Sequence, residues 1–417
     1  MSQGIPSVEK LGRIYKDIEE ASARYSHLRD GYAETFGEAE LSFFTSPGRT
    51  EIIGNHTDHN GGKVIAASID LDTIGAAAAS GDEIIEIQSE GYPRIVVDLD
   101  QIDQVPKESG TVSLIAGMAE GARKMGYEVH GFKAYLSTTV IPAAGISSSA
   151  SFEMIIAAMF NHFFNDGRIP VSDYARIGQY SENHFWNKAS GLMDQMACAV
   201  GGPIKLDFSG KEISFGQIPF SFDEYGYRLV IVNTGGGHAD LSAQYSAMPQ
   251  EMFAVAKELG GERLCDTDME SFLTHVSEIR TKLGNDRALL RAMHFFNENA
   301  RVDRMKDAID DHDIKSILSL LSASGSSSYE LLQNGYCIET PEEQSIPLAL
   351  ALTEQYLASI GDGVCRIHGG GLAGVIMVVV PEEKTSDYVD YISGYFGRDN
   401  VYPMNIRAVG AVCVDDI

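Results

Sequence analysis

Residues 141–164 constrain this chain more than any other stretch. A Gly- and Ser-rich turn, Ile141-Pro-Ala-Ala-Gly-Ile-Ser-Ser-Ser-Ala-Ser151, follows a strand-like run at 132–139. It leads straight into Ala150 to Phe164 (ASFEMIIAAMFNHFF), which is apolar over a broad face and reads as a buried helix. The first turn of a helix carries N–H groups without intrahelical partners and a partial positive charge, so this loop suits an anion. One serine is enough for a cap; Ser147, Ser148 and Ser149 exceed that need and add hydroxyl donors and possible Mg²⁺ ligands. No Gly-Lys-Ser/Thr follows, so the loop is not a Walker A motif.

A phosphate held here has to be held locally. Lys plus Arg number 32 against 59 Asp plus Glu, a net charge of −27 that opposes non-specific binding to nucleic acid or to an anionic membrane surface. With 44% hydrophobic and 22% charged residues, 417 residues supply a large core and argue against disorder, collagen and a disulfide scaffold. Cys198, Cys265, Cys337, Cys365 and Cys413 lack CxxC or zinc-ligand spacing and read as reduced thiols. The first residues carry charges instead of a signal-peptide core, and no apolar run reaches the roughly 18 residues of a membrane span. The expectation is a soluble, cytoplasmic protein.

Helical spacing over Ile5 to Phe36 predicts one or two amphipathic helices before any sheet begins. Leu41 to Thr45 reads as a strand ending at Ser46-Pro47-Gly48, with further strands at 63–79, 84–87, 95–99 and 132–139. Helices are expected at 112–124 and 173–186, and a mostly helical stretch follows the strand Arg228 to Asn233. Thr340-Pro-Glu-Glu343 reads as a capping box, and the last residues as β-rich, with strands at 375–380 and 409–414. A soft boundary near residue 205 divides the chain into 1–205 and 206–417.

Four segments carry candidate chemistry. Ser46 to Gly62 (SPGRTEIIGNHTDHNGG) is a polar run between strands, and Arg49, Asn55, His56, Asp58 and His59 mix donors and acceptors as a polyhydroxylated ligand requires. The same run permits a metal reading, in which His56, Asp58 and His59 join His238 and Asp240 in a dinuclear hydrolase site. The serine turn is the second segment. Gly369 to Gly374 satisfies GxGxxG but precedes a strand, the wrong order for a dinucleotide loop. In Ser190-Gly-Leu-Met-Asp194-Gln195 an acid lies among small and apolar residues, which calls for a partner such as Arg49. Glu182, taken alone, reads as a solvated helix-face charge.

In order along the chain, these segments together resemble the GHMP small-molecule kinases, and among them the galactokinases. Pro47-Gly-Arg49 with Ile53-Gly-x-His-Thr-Asp58-x-Asn-Gly-Gly62 is similar to the galactokinase signature, and Pro142 to Ala150 to the family's phosphate loop. Gly191 to Gln195 is similar to its catalytic segment and Arg366 to Gly374 to its third motif. The resemblance implies an α+β fold of two lobes, with mixed sheets, packed helices and the site between the lobes. It implies transfer of phosphate from ATP, with Mg²⁺, to the anomeric hydroxyl of a galactose-like sugar. On matching positions Asp194 is the catalytic carboxylate and Arg49 its partner. Gly145, Ser147, Ser148, Ser149 and Ala150 hold the nucleotide, Ser149 and Glu182 the Mg²⁺, and Asn55, His56, Asp58 and Tyr245 the sugar.

Departures fall mostly on the sugar side. Asn55 stands where the family usually has the Glu that contacts the C6 hydroxyl, and Glu51 where it has Asn, as though the two had exchanged. His59 replaces the common Tyr and Ile146 the common Leu. Asn55 therefore admits a C6-altered sugar such as galacturonate, unless Glu51 swings into the vacated place. A non-catalytic galactose- and ATP-binding regulator is the alternative from another class. The oligomeric state is not written in the sequence.

Overall fold

The computed structural model describes residues 4–108, 110–141, 145–186, 191–235, 241–372 and 374–417. Contacts divide the chain into two compact units. The first takes the chain up to Arg49, Ala67–Gly202 and Arg407–Ile417; the second takes Thr50–Ala66 and Pro203–Ile406. This differs from a single cut near residue 205. Two long strands, β1 (Ser42–Ile53) and β2 (Lys63–Ala79), carry the chain from one unit into the other and back without any change in sequence pattern. Helices and sheets mix in both units, as an α+β fold requires.

In the first unit, helices α1 (Val8–Gly12) and α2 (Ile18–Phe36) precede the sheet as the periodicity predicts. The sheet continues with β3 (Ile84–Ser89), β4 (Ile95–Asp98) and β5 (Phe132–Thr138), in the order Val412–Cys413, β1, β2, β5, β3, β4. Adjacent residues of a strand point to opposite faces. Phe43 accordingly packs with Tyr25 and Leu28 of α2, while Phe44 packs with Met154 and Phe160 of α4 (Ser148–Phe164), after α3 (Thr111–Lys124). α5 (Val171–His184) and α6 (Met193–Val200) complete this layer.

The second unit opens with the hairpin of β6 (Pro203–Asp207) and β7 (Ser214–Gln217). It then builds an antiparallel sheet from β8 (Tyr227–Asn233), β9 (Val364–Ile367), β10 (Val375–Pro381) and β11 (Val401–Met404), ordered β11, β8, β10, β9. Between β8 and β9 lie α7 (Ser242–Glu258), α8 (Met269–Leu283), α9 (Asp286–Asp310), α10 (Ile314–Ser327) and α11 (Ser345–Ile360). Asp268, Asn285 and Asp313 cap α8, α9 and α10 by accepting a backbone N–H in the first turn. All five cysteines are free, and among the described residues no helix is long and apolar enough to cross a membrane.

Three elements differ from expectation. β1 does not stop at Ser46-Pro-Gly48, because Gly48 is used for close approach instead of a turn: a Cβ there would stand 2.9 Å from the Ile146 carbonyl. Thr340 to Glu343 forms a turn closed by Glu343 N donating to Thr340 O (3.0 Å), and the helix begins at Ser345 with Pro347 in its first turn. A proline costs nothing there, since that N–H has no intrahelical partner. The last residues are not uniformly β: α12 (Thr385–Phe396) buries Tyr388, Val389 and Ile392, and 409–414 supplies only the pair Val412–Cys413.

The first unit is pinned by one carboxylate. Asp72, fully buried on β2, accepts from Arg24 (2.7 Å), Arg407 (2.8 Å), Tyr15 (2.6 Å) and Thr45 (2.9 Å). Burial alone would raise its pKa, but the two guanidiniums and the phenol outweigh that and hold it below the ordinary carboxylate value. Its stabilising contribution is therefore present above the unfolded carboxyl pKa and lost as pH falls through the lower folded value. Asp72→Ala is expected to lower unfolding free energy by about 3–5 kcal/mol, since it strands two arginines. Urea unfolding at neutral pH checks this, and the difference from the parent protein should shrink in acid.

Candidate active site

In the first unit, Arg49 on β1 and Asp194 in the first turn of α6 form a two-point ion pair, Nε to Oδ1 and Nη2 to Oδ2, both 2.8 Å. Arg49 Nη1 also donates to the Gly145 carbonyl, and its backbone N–H to Ile146 O (3.1 Å). The guanidinium thus ties β1, the serine turn and α6 together. Ser147 does not act as a capping side chain: it is left-handed (φ +58°), makes no cap bond, and donates its hydroxyl to Asp194. Pro142–Ala144 of this turn lie outside the described residues.

Ser148 and Ser149 open α4, whereas Ala150 is buried in the core, so only its backbone is available to a phosphate. Glu182 is 1% exposed, which overturns its reading as a solvated charge. Its Oε1 lies 3.4 Å from Ser149 Oγ, and Gln195 Nε2 bridges Glu182 Oε2 (3.2 Å) and the equally buried Glu153 Oε2 (3.1 Å). Buried carboxylates are costly without compensation, and acid and hydroxyl oxygens beside a phosphate-type loop fit a hard divalent cation. Glu153 and Gln195 were not singled out from the sequence, although an acid inside the apolar helix 150–164 is a signal. Beside these serines is a cavity of about 500 Å³ lined by Ser148, Ser149, Phe152, Thr138, Tyr92 and the chain's one tryptophan, Trp186. That cavity too was missed, because its walls come from six separate segments.

In the second unit, the signature turn 54–62 lies against the glycine-rich turn. Asn55 Nδ2, His56 Nε2 and Tyr245 Oη reach the successive carbonyls of Gly369 (2.5 Å), Gly370 (3.1 Å) and Gly371 (2.8 Å). Asn55 is 0% exposed and its remaining bonds go to Glu51, Ser328 and Asn334. Its amide is thus engaged inside the protein on both its nitrogen and its oxygen. Glu51 does not swing outward either, since Arg366 holds it at 2.9 Å. Asp58 and His59, half-buried, begin a short 3-10 turn. Burial, with His56 and His294 nearby, outweighs the pull of Asp58 and brings the His59 pKa down to about 4, so this imidazole is neutral at physiological pH.

The metal-hydrolase reading finds no support in this geometry. Among the described residues, only His162, Cys413 and Asp416 bring ligand atoms together. There the imidazole already pairs with Asp416 (3.0 Å), and burial pushes the Cys413 thiol up to about 12. His238 and Asp240 lie outside the described residues.

Residues 30–79 match the family model for the galactokinase galactose-binding signature, and 113–202 the model for the GHMP kinase N-terminal domain. By its fold and by these matches the chain is similar to the GHMP small-molecule kinases. Within that class it is similar to the galactokinases. It is 29% identical over 397 residues to the galactokinase of Lactococcus lactis IL1403, covering 93% of this chain and 95% of that protein. Against the galactokinase of Bacillus subtilis 168 identity is 27% over 376 residues, covering 88% and 92%. The crystal structure of L. lactis galactokinase complexed with galactose superposes with a TM-score of 0.78 at 25% identity, covering 93% of this chain and 99% of that one. A mevalonate kinase at 15% identity (TM-score 0.62, 88% and 99% covered) shares the fold.

Because Trp186 is the only indole and lines the cavity beside α4, nucleotide binding is expected to change intrinsic fluorescence saturably. Titration with Mg-ADP checks it. The signal should vanish in Trp186→Phe and be small with sugar alone.

Proposed function

We propose that this chain transfers the γ-phosphoryl group of ATP to the anomeric hydroxyl of galactose or a close relative. The observation that carries the reading is the Arg49–Asp194 pair joined to Ser147 at the mouth of the serine turn. Phosphoryl transfer proceeds through a loose transition state, so the protein has to position the reactants and stabilise charge and has little covalent chemistry to perform. The sugar C1 oxygen bonds to the γ-phosphorus as the bond to the bridging oxygen breaks, and ADP leaves. Asp194, held at two points by Arg49, orients the hydroxyl and takes its proton as the new bond forms.

The first turn of α4 cradles the phosphates with backbone N–H groups and the hydroxyls of Ser147, Ser148 and Ser149. Ser149 and Glu182 would hold Mg²⁺, which would supply positive charge beside the transferring phosphate. The apolar cavity beside Trp186 is the proposed seat of the base. Asp58 and His56 are the proposed sugar contacts. Such a reaction needs a compartment that supplies ATP, which fits the cytoplasm. The ion pair to the acid favours catalysis over a purely sensing role, which would need no such group. A preference for galacturonate loses its support, since Asn55 is not available to a uronate.

Coupled ADP release with galactose, galacturonate, N-acetylgalactosamine, glucose and arabinose tests the substrate, with galactose expected to lead. Asp194→Ala should lower turnover roughly 10²- to 10⁴-fold at saturating substrates while the protein stays folded. Unchanged turnover would remove Asp194 from the mechanism. Glu182→Gln keeps the shape and loses the charge, so activity should be regained only at raised Mg²⁺. An unaltered Mg²⁺ dependence would remove Glu182 from the metal site.

A further inference from the structure

Resting on that reading of the site, we propose that Glu51, Asn55 and Arg366 are positioning residues: a buried clasp that holds the signature turn on the glycine-rich turn as one body. Every bond in it lies within the second unit. Arg366, 1% exposed, donates to Glu51 (2.9 Å), to the Ile52 carbonyl (2.5 Å) and to its neighbour Ile367 O (3.0 Å). Glu51, 3% exposed, accepts on both oxygens from Asn55 Nδ2, at 3.2 and 3.3 Å. The same amide group donates to Gly369 O (2.5 Å), and Asn55 Oδ1 lies 2.9 Å from Ser328 Oγ and 3.0 Å from Asn334 Nδ2.

Each partner is placed by a particular feature of the backbone. Ser328 starts a π-helical turn, Ser328–Leu332, that follows α10, and such an insertion re-aims the side chains around it. Gly371 is left-handed (φ +69°), and a Cβ on it would stand 2.3 Å from the Asn334 carbonyl, so no larger residue could bring the two chains this close. His56 is itself left-handed (φ +56°), a strained state that its bond to Gly370 O and the His294 bond to the Asn55 carbonyl (2.9 Å) hold in place.

One carboxylate, one amide and one guanidinium satisfy this buried space. A second carboxylate would meet the first about 3 Å away, as in a like-charge pair, and removal of the only one would leave Arg366 uncompensated. Glu51 and Asn55 therefore act as a unit, and their role is to fix the loop that carries Asp58 and His59, not to read a hydroxyl.

The experiment compares Glu51→Asn, Asn55→Glu and the double exchange with the parent protein. Each single variant is expected to raise the KM for galactose roughly tenfold or more, with the KM for ATP unchanged, and the double exchange to recover most of that loss. A double variant no better than the worse single one would overturn the clasp. Where a charged variant does not fold, Asn55→Ser takes its place, with a smaller rise in KM expected; an unchanged KM would count against the clasp. Galactose and 6-deoxygalactose give the second readout. Positioning lowers kcat/KM for both by the same factor, whereas a changed ratio would make Asn55 a carbon-6 contact and overturn the proposal. If the parent protein phosphorylates no sugar, the reading of function fails separately. The clasp is then judged on thermal unfolding, where recovery in the double variant supports it and simple additivity overturns it.

Discussion

An arginine buried to 7% exposure needs a partner of opposite charge, and Arg49 has one in Asp194, held at two points. Much of the local architecture of the first unit follows from that pair. β1 has to continue straight through Ser46-Pro-Gly48 to deliver the guanidinium, and the serine turn has to come within reach of Gly48 so that the Gly145 carbonyl and Ile146 O meet Arg49. Ser147 takes a left-handed conformation, which costs about 1–3 kcal/mol for a non-glycine residue, and its hydroxyl bond to Asp194 compensates. The acid is thereby placed at the start of one helix and beside the start of another.

The signature run shows a second use of polar residues. Asn55, His56 and Tyr245 point their donors at three consecutive carbonyls, so two of the polar residues in a run that suggests a sugar-gripping loop are bonded within the protein. His59 adds a neutral imidazole beside Asp58, its charge suppressed by burial. Asn55 is joined to Glu51 and Arg366 in a buried network.

Much of this was legible beforehand and some was not, for identifiable reasons. The Arg49–Asp194 pair could be expected because an acid among Met193, Met196 and Ala197 cannot be left alone, and that requirement is local. The helix after the serine turn, the strands at 63–79 and 375–380, and the wrong order of the GxGxxG run were legible from periodicity and position. Glu182 was not, because α5 reads as an amphipathic surface helix and its burial depends on Gln195 and α4 packing over it. The continuation of β1, the clasp at Asn55 and the return of 407–417 to the first unit depend on which distant backbone lies alongside, and a single sequence does not record that.

The central claim is a phosphoryl transfer to the anomeric oxygen of galactose, and the most direct measurement is product identity by ³¹P and ¹H NMR after incubation with Mg-ATP and galactose. The account predicts ADP and a sugar monophosphate in equal amounts, with the phosphorus coupled to the anomeric proton. Phosphate on another hydroxyl, inorganic phosphate without a sugar ester, or no turnover under conditions where nucleotide and sugar both bind would contradict it.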